Sequence, residues 1–152
     1  MITKLLDGLT SRRRGRRAAV PAASPPLVIE YSPRLDGDGD PGEVVWGWVP
    51  FEDDPSQGKD RPMVVIGRAE ASLIAIALTT KDHGPLDERL AVGTGDWDPQ
   101  RRQSFAKINR LIAIDPANVR REGAVFPRRR FDALVAAVRS RNLSVEVGGV
   151  RS

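Results

Sequence analysis

Apolar positions along the chain follow two rhythms. From Val44 onward, short apolar runs alternate with polar loops: Val44 to Val49, Met63 to Ile66, Leu73 to Leu78, Leu90 to Val92 and Leu111 to Ile114. Each run is too short for a helix, so each predicts a strand. In the first run Trp46 and Trp48 fall on one side and Val45 and Val49 on the other, which predicts that both faces are covered. Ser104 to Asn109 predicts another strand, although Phe105 and Ile108 cannot share a face under strict alternation. A bulge or two-sided burial is required, and the pattern leaves both open. Leu27 to Tyr31 predicts an extra edge strand, and Val119 to Glu122 the start of a last hairpin arm. The rhythm then changes. Beyond Pro127, a favoured helix-start residue, Phe131, Leu134, Val135 and Val138 fall at i, i+3, i+4 and i+7, the stripe of an amphipathic helix. Arg128, Arg129 and Arg130 occupy its first turn, the unfavourable end of the helix dipole for cations. Five to seven short strands and one C-terminal helix predict a mainly β fold, a small and strongly curved antiparallel sheet closed by the helix as a barrel or sandwich.

The ends read differently. Residues 1 to 26 carry Ile2, Leu5, Leu6 and Leu9 at helical spacing, then a run of five arginines around Gly15, then a Pro/Ala-rich linker. We divide the chain into a basic, partly disordered N-terminal extension (1–40), a folded domain (41–143) and a frayed tail (144–152). Asp36, Asp38 and Asp40 alternate like the opening of a calcium loop, but no glutamate stands at the twelfth position, so a turn is expected. Gly93 to Asp98 reads as a tight connection and not as a phosphate loop, since no Gly-Lys-Ser/Thr follows.

Composition narrows the chemistry. At 152 residues and 16.6 kDa the chain suits one domain with a tail. The absence of cysteine rules out disulfides and thiolate metal sites, and fits a reducing cytoplasm. With one histidine, His83, no metal site and no cofactor are expected. No apolar run approaches the ~20 residues that span a bilayer, so no membrane association is expected. Net charge is only +4, but it is uneven. Residues 41–60 hold five acids against Lys59, while residues 101–130 hold nine Lys or Arg against Asp115 and Glu122. A basic half beside an acidic loop points to a polyanionic partner; a solvated face is the plain alternative.

The stretch Gly42 to Gly67 draws these threads together. Glu52, Asp53, Asp54, Ser56, Gln57, Gly58, Lys59 and Asp60 form a polar loop that no core accepts. Arg61 and Pro62 are expected to close it. Pro62 fixes its own φ and holds Arg61 extended, at the mouth of the strand that begins at Met63.

Four segments in this order resemble the PemK/MazF family of toxins from bacterial toxin–antitoxin pairs. They are Gly42-Glu43-Val44-Val45-Trp46, Lys59-Asp60-Arg61-Pro62-Met63-Val64-Val65-Ile66, Ile76-Ala77-Leu78-Thr79-Thr80-Lys81 and Asn109-Arg110-Leu111-Ile112-Ala113-Ile114-Asp115. The resemblance runs from Gly42 to about Arg141. It implies an SH3-like barrel that pairs as a homodimer. It implies an endoribonuclease that cleaves single-stranded RNA without a metal ion and is neutralised by a small antitoxin. Operator DNA, reached through the antitoxin complex, is a further option.

In that reaction the ribose 2′-hydroxyl attacks the adjacent phosphate, so the site must move two protons and stabilise charge on phosphorus. Arg61 matches the family's catalytic arginine, and its planar fork suits two phosphate oxygens; read alone, it would equally suit a rim ion pair with Asp60 or Asp54. Thr79 matches the family's threonine, with Thr80 the alternative if the register shifts by one. Lys107 and Asn109 stand where some members carry Arg and Asp two apart on a strand. Lys107 can hold a phosphate, whereas Asn109 cannot accept a proton. Ser56, Gln57 and Lys59 on the loop, with Thr80, His83 and Asn109, complete the expected substrate contacts. Trp46 and Trp48 suit either base stacking or the core. Two other functions remain open on the same barrel: a non-catalytic module binding nucleic acid or protein, and a toxin directed at gyrase.

Overall fold

The computed structural model describes residues 26–34, 38–82, 84–141, 143 and 145–147. In chain order it contains β1 (Val28–Ile29), β2 (Glu43–Pro50), β3 (Gly58–Ala69), β4 (Ser72–Thr79), β5 (Arg89–Gly93), β6 (Ser104–Lys107), β7 (Leu111–Ile114), β8 (Arg120–Val125), helix α1 (Arg128–Arg139) and β9 (Val145–Val147). The strands form one curled sheet whose main path runs β5-β6-β4-β3-β2-β8. Its ends, β5 and β8, do not meet among the described residues, so the sheet is a half-barrel with a C-terminal helix. Every pairing is antiparallel except that of β9 with β7.

Strand β3 is the spine. It pairs with β2 from Gly58 to Val64, with β4 from Met63 to Ala69, and with β1 at Gly67 and Arg68. The last contact depends on a glycine. A Cβ at Gly67 would lie 2.2 Å from the Val28 carbonyl oxygen, so any side chain there would push β1 off the sheet. A register shift between Val65 and Gly67, and others in β2–β8 and β5–β6, bend the strands and produce the curl. Strand β4 divides between two neighbours, β7 at Leu73 to Ala75 and β6 at Leu78 and Thr79.

Because alternate residues face opposite ways, the central strands feed two cores. Val44, Val64, Ile66, Ile74, Ile76 and Leu78 pack with Trp97, Phe126 and the α1 stripe Phe131, Leu134, Val135 and Val138. Val45, Val49, Met63, Val65, Leu73, Ala75 and Ala77 pack with Ile112 and Ile114 on the other face. The expected two-sided burial of β2 is thus present, and the predicted helix stripe is buried in full. Tyr31 ties the edge to the helix end: its hydroxyl donates to the Phe126 carbonyl at 2.8 Å and its ring meets Phe131 at 5.0 Å.

Several expectations need correction. Among the described residues there are nine strands, not five to seven. Arg61 and Pro62 do not close a loop; both lie inside β3, which starts at Gly58 and runs for 12 residues. A proline is tolerated there because β3 gains its second neighbour, β4, only at Met63. The strand predicted over Ser104 to Asn109 ends at Lys107, and Ile108 and Asn109 form a turn, so neither a bulge nor two-sided burial of that strand is needed. The segment from Val145 to Val147 is not frayed; it pairs with β7. Asp40 is spent on Arg68, at 2.8 Å. The amphipathic and arginine-rich segments of residues 1–25, Asp36 and the last five residues lie outside the described residues.

Leu134 is fully buried where α1 meets the sheet. Leu134→Ala should lower stability by about 2–5 kcal/mol. Urea unfolding should show this as a lower midpoint with an unchanged slope.

Candidate functional site

The β-sheet register assembles the site. Met63 pairs with Ala77 and Val64 with Ile76, so two residues further along the same ladder Arg61 comes beside Thr79. Both face the side of Met63 and Ala77. Across β2 the partner of Arg61 is Gly47, which offers no side chain and leaves the guanidinium room. On the other flank, Thr79 pairs with Phe105 on β6, and Arg89 of β5 pairs with Lys107. Cross-strand partners share a face, so Arg61, Thr79, Lys107 and Arg89 all project from one surface of the sheet.

Two clefts adjoin at Arg61 and Thr79, the larger of them on this surface. One, of about 580 Å³, lies among Glu52, Arg61, Thr79, Glu88, Arg89 and Lys107. The other, of about 130 Å³, lies among Trp46, Lys59, Arg61, Thr79, Thr80 and Asp98. Arg61, Thr79 and Lys81 belong to both and form the ridge between them.

Arg61 is half-buried, and among the described residues no carboxylate hydrogen-bonds or ion-pairs with it. The rim ion pair with Asp60 or Asp54 is therefore absent; the Asp54 carboxylate instead accepts from Ser56 Oγ at 2.6 Å and Gln57 Nε2 at 2.7 Å. Burial, then the nearby charge of Arg110, push the Arg61 guanidinium below its usual range, although arginine stays charged throughout. The charge of Arg61, then burial and Lys81, likewise lower the Lys59 ammonium. Crowded cations with depressed pKa values form a site that an anion would stabilise.

Thr79 ends β4. Its Oγ1 accepts the Lys81 backbone amide at 3.1 Å, so the hydroxyl proton remains available to donate. Lys107 Nζ lies 3.0 Å from Glu52 Oε1, and Asn109 Nδ2 lies 2.9 Å from Glu52 Oε2. Lys107 and Asn109 do meet at one place, but through a turn and a shared carboxylate and not along one strand. Lys59 and Thr80 line the smaller cleft. Ser56 and Gln57 are held by Asp54 in the loop and line neither cleft, and His83 lies outside the described residues.

The smaller cleft has a firm floor. Trp97 Nε1 donates to Ser104 Oγ at 3.0 Å, and Trp46 Nε1 donates to the Trp97 carbonyl at 3.2 Å. Both tryptophans of β2 are half-buried, neither fully core nor free. The Asp98 carboxylate is held below its usual range, chiefly by the Arg102 guanidinium at 2.8 Å and also by the Gln100 and Arg102 amides.

Sequence reasoning missed four residues. Glu52 sits 55 positions from Lys107, and no local pattern links them. Glu88 reaches Asn109 Nδ2 at 3.4 Å from a single 3-10 turn. Arg110 is buried and donates to the Pro50 carbonyl at 3.0 Å, at the root of the acidic loop. Its place next to Asn109 in a basic stretch gave no sign of this. Arg89 is engaged by Asp82 at 2.8 Å and stacks on Phe105 at 5.7 Å; no sequence motif marks it, and only the β5–β6 register sets it opposite Lys107.

Among the described residues no group of three or more acidic or histidine side chains is placed to hold a metal ion, and no helix is long and apolar enough to cross a membrane. No curated protein gives a significant match. Among solved structures the chain is similar to a MazE–MazF complex from Deinococcus radiodurans, with 15% identity and a TM-score of 0.49, covering 72% of this chain and 100% of that one. It is also similar to the Mycobacterium tuberculosis toxin MazF-mt6, with 15% identity and a TM-score of 0.44, covering 66% and 98%. The model of the PemK-like, MazF-like toxins of type II toxin–antitoxin systems matches residues 40–141. That span holds the curled sheet from β2 to β8, helix α1 and both clefts, and the chain belongs to this toxin family.

Proposed function

We propose that the protein is an endoribonuclease toxin that cleaves single-stranded RNA, mRNA above all, without a metal ion. The 2′-hydroxyl attacks the adjacent phosphorus, a 2′,3′-cyclic phosphate forms, and the 5′-oxygen leaves. The observation that carries this reading is Arg61: a half-buried guanidinium that no carboxylate among the described residues hydrogen-bonds or ion-pairs, at the ridge of two clefts, among other cations.

As the 2′-oxygen attacks, negative charge builds on the non-bridging oxygens of phosphorus. Donors fixed in advance where that charge develops lower the barrier without reorganising. The Arg61 fork takes two of these oxygens, the Thr79 hydroxyl donates to the same group, and Lys107 faces it across the larger cleft. Lys59 and Thr80 extend the groove along the neighbouring nucleotide. Ser56 and Gln57 reach the RNA only if they leave Asp54. Membership of a toxin family of type II systems supports a small antitoxin as partner, its anionic tail replacing RNA over the same cations, and supports a homodimer working in the cytoplasm.

Two measurements test the reading. Incubated with single-stranded RNA in EDTA, the pure protein should give products with cyclic phosphate ends, and Arg61→Ala should lose about 10²–10³ in rate. Binding without products would identify a non-catalytic module instead. With an uncleavable 2′-O-methyl RNA, affinity should fall steeply with salt. Each phosphate contact on a single strand contributes a slope of about 0.7, so Arg61→Ala should flatten the line by that amount. An unchanged slope would remove Arg61 from the phosphate.

A further inference from the structure

Transfer of the 2′-hydroxyl proton requires a base within hydrogen-bond reach of the reacting group. Asn109 cannot serve, because an amide does not accept the proton at accessible pH. The structure brings a carboxylate to that same place from the other side of the cleft. We propose that Glu52, on the loop between β2 and β3, is the general base of the cleavage; the inference rests on the ribonuclease reading above.

The geometry is specific. One Glu52 oxygen accepts Lys107 Nζ at 3.0 Å and the other accepts Asn109 Nδ2 at 2.9 Å. The carboxylate is therefore oriented by two donors, and Asn109 becomes the residue that positions the base. The loop that carries Glu52 is pinned at its root. Arg110 Nη1 donates to the Pro50 carbonyl at 3.0 Å, and the Phe51 amide donates to the Gln57 carbonyl at 2.9 Å. Glu52 lines the same cleft as Arg61, Thr79 and Lys107. Its side chain is 43% exposed and that of Lys107 is 34% exposed, so a ribose can reach both. The other charged groups around it are Asp53 on its own loop, Glu88 from the 3-10 turn, Arg61 and Lys81 on the ridge, and Arg89, which Asp82 engages.

The step balances. Glu52 takes the 2′-hydroxyl proton as the 2′-oxygen bonds to phosphorus, and the bond from phosphorus to the 5′-oxygen breaks. The departing 5′-oxygen takes a proton from the Lys107 ammonium. Glu52 then returns its proton to Lys107 across their contact, and both groups end as they began.

The test is single-turnover cleavage of a long unstructured RNA across a pH series. The full-length protein is compared with Glu52→Gln, Glu52→Ala, Glu88→Gln and Arg61→Ala, with thermal melts confirming that each is folded. We expect Glu52→Gln to slow cleavage by about 10²-fold or more while still binding RNA, and to lose the acid limb of the rate profile. Added formate should restore part of the rate to Glu52→Ala, which a purely structural residue would not show. A Glu52→Gln variant that cleaves as fast as wild type, or faster because the carboxylate merely plugs Lys107, overturns the proposal. So does loss of the acid limb in Glu88→Gln with its retention in Glu52→Gln. If Arg61→Ala is inactive while Glu52→Gln keeps full rate, only the base falls; if the wild-type protein gives no cyclic phosphate, the ribonuclease reading falls with it.

Discussion

The charge of Arg61 is held in place by a strand that cannot move to relieve it. Met63, Val64, Val65 and Ile66 follow it at 0% exposure, locked into both cores, and β2 and β4 grip β3 on either side. A flexible cation would turn to solvent or find a carboxylate. The backbone of this one is fixed by Pro62 and the ladder, and its guanidinium is half-covered with the charge of Arg110 nearby. Folding bears that electrostatic cost, which a bound anion would recover. Such a local conflict between stability and arrangement is the usual mark of a functional position.

The same ladder explains why so few elements suffice. One register, Met63 opposite Ala77, sets Arg61 by Thr79; a second, Thr79 opposite Phe105, brings the β6 side chains to the same face. Loops then need only supply carboxylates at the rim. The cores are correspondingly asymmetric. One is sealed by α1, while the other is rich in valines and alanines and lies under the face that carries the larger cleft. Precision at the cations comes from strands. The loop between β2 and β3 contributes Glu52, which meets Lys107 in the larger cleft.

Much of this was legible in the chain, and the failures have physical causes. The α1 stripe and the central strands are deeply buried, so periodicity reports them directly. The start of β3 was missed because Lys59 and Asp60, on opposite faces, are both exposed and Arg61 is only half-buried, so this part of the strand has no need of apolar residues. The end of β6 was misplaced because Ile108 is apolar yet packs from a turn, and apolarity alone does not separate the two. Strand β9 was missed since three residues pairing with β7 carry almost no pattern. Arg61, Thr79 and Lys107 could be named from motif order. Glu52 could not, because its meeting with Lys107 depends on the curl of the whole sheet.

That contact also bears on the uneven charge of the chain. Read along the sequence, residues 41–60 are acidic and residues 101–130 basic, which suggests two separate surfaces. Folding instead sets the acidic loop against the basic strand across one cleft, with Glu52 on Lys107. A groove made only of cations would bind a polyanion firmly and leave the 2′-hydroxyl with no base. A groove neutralised throughout would bind nothing. Here the division is spatial: no carboxylate among the described residues pairs with Arg61 on the ridge, while the far wall pairs Glu52 with Lys107. Attraction and proton transfer would conflict if asked of the same residues, and on the proposed reading the curl of the sheet lets the two coexist within one cleft.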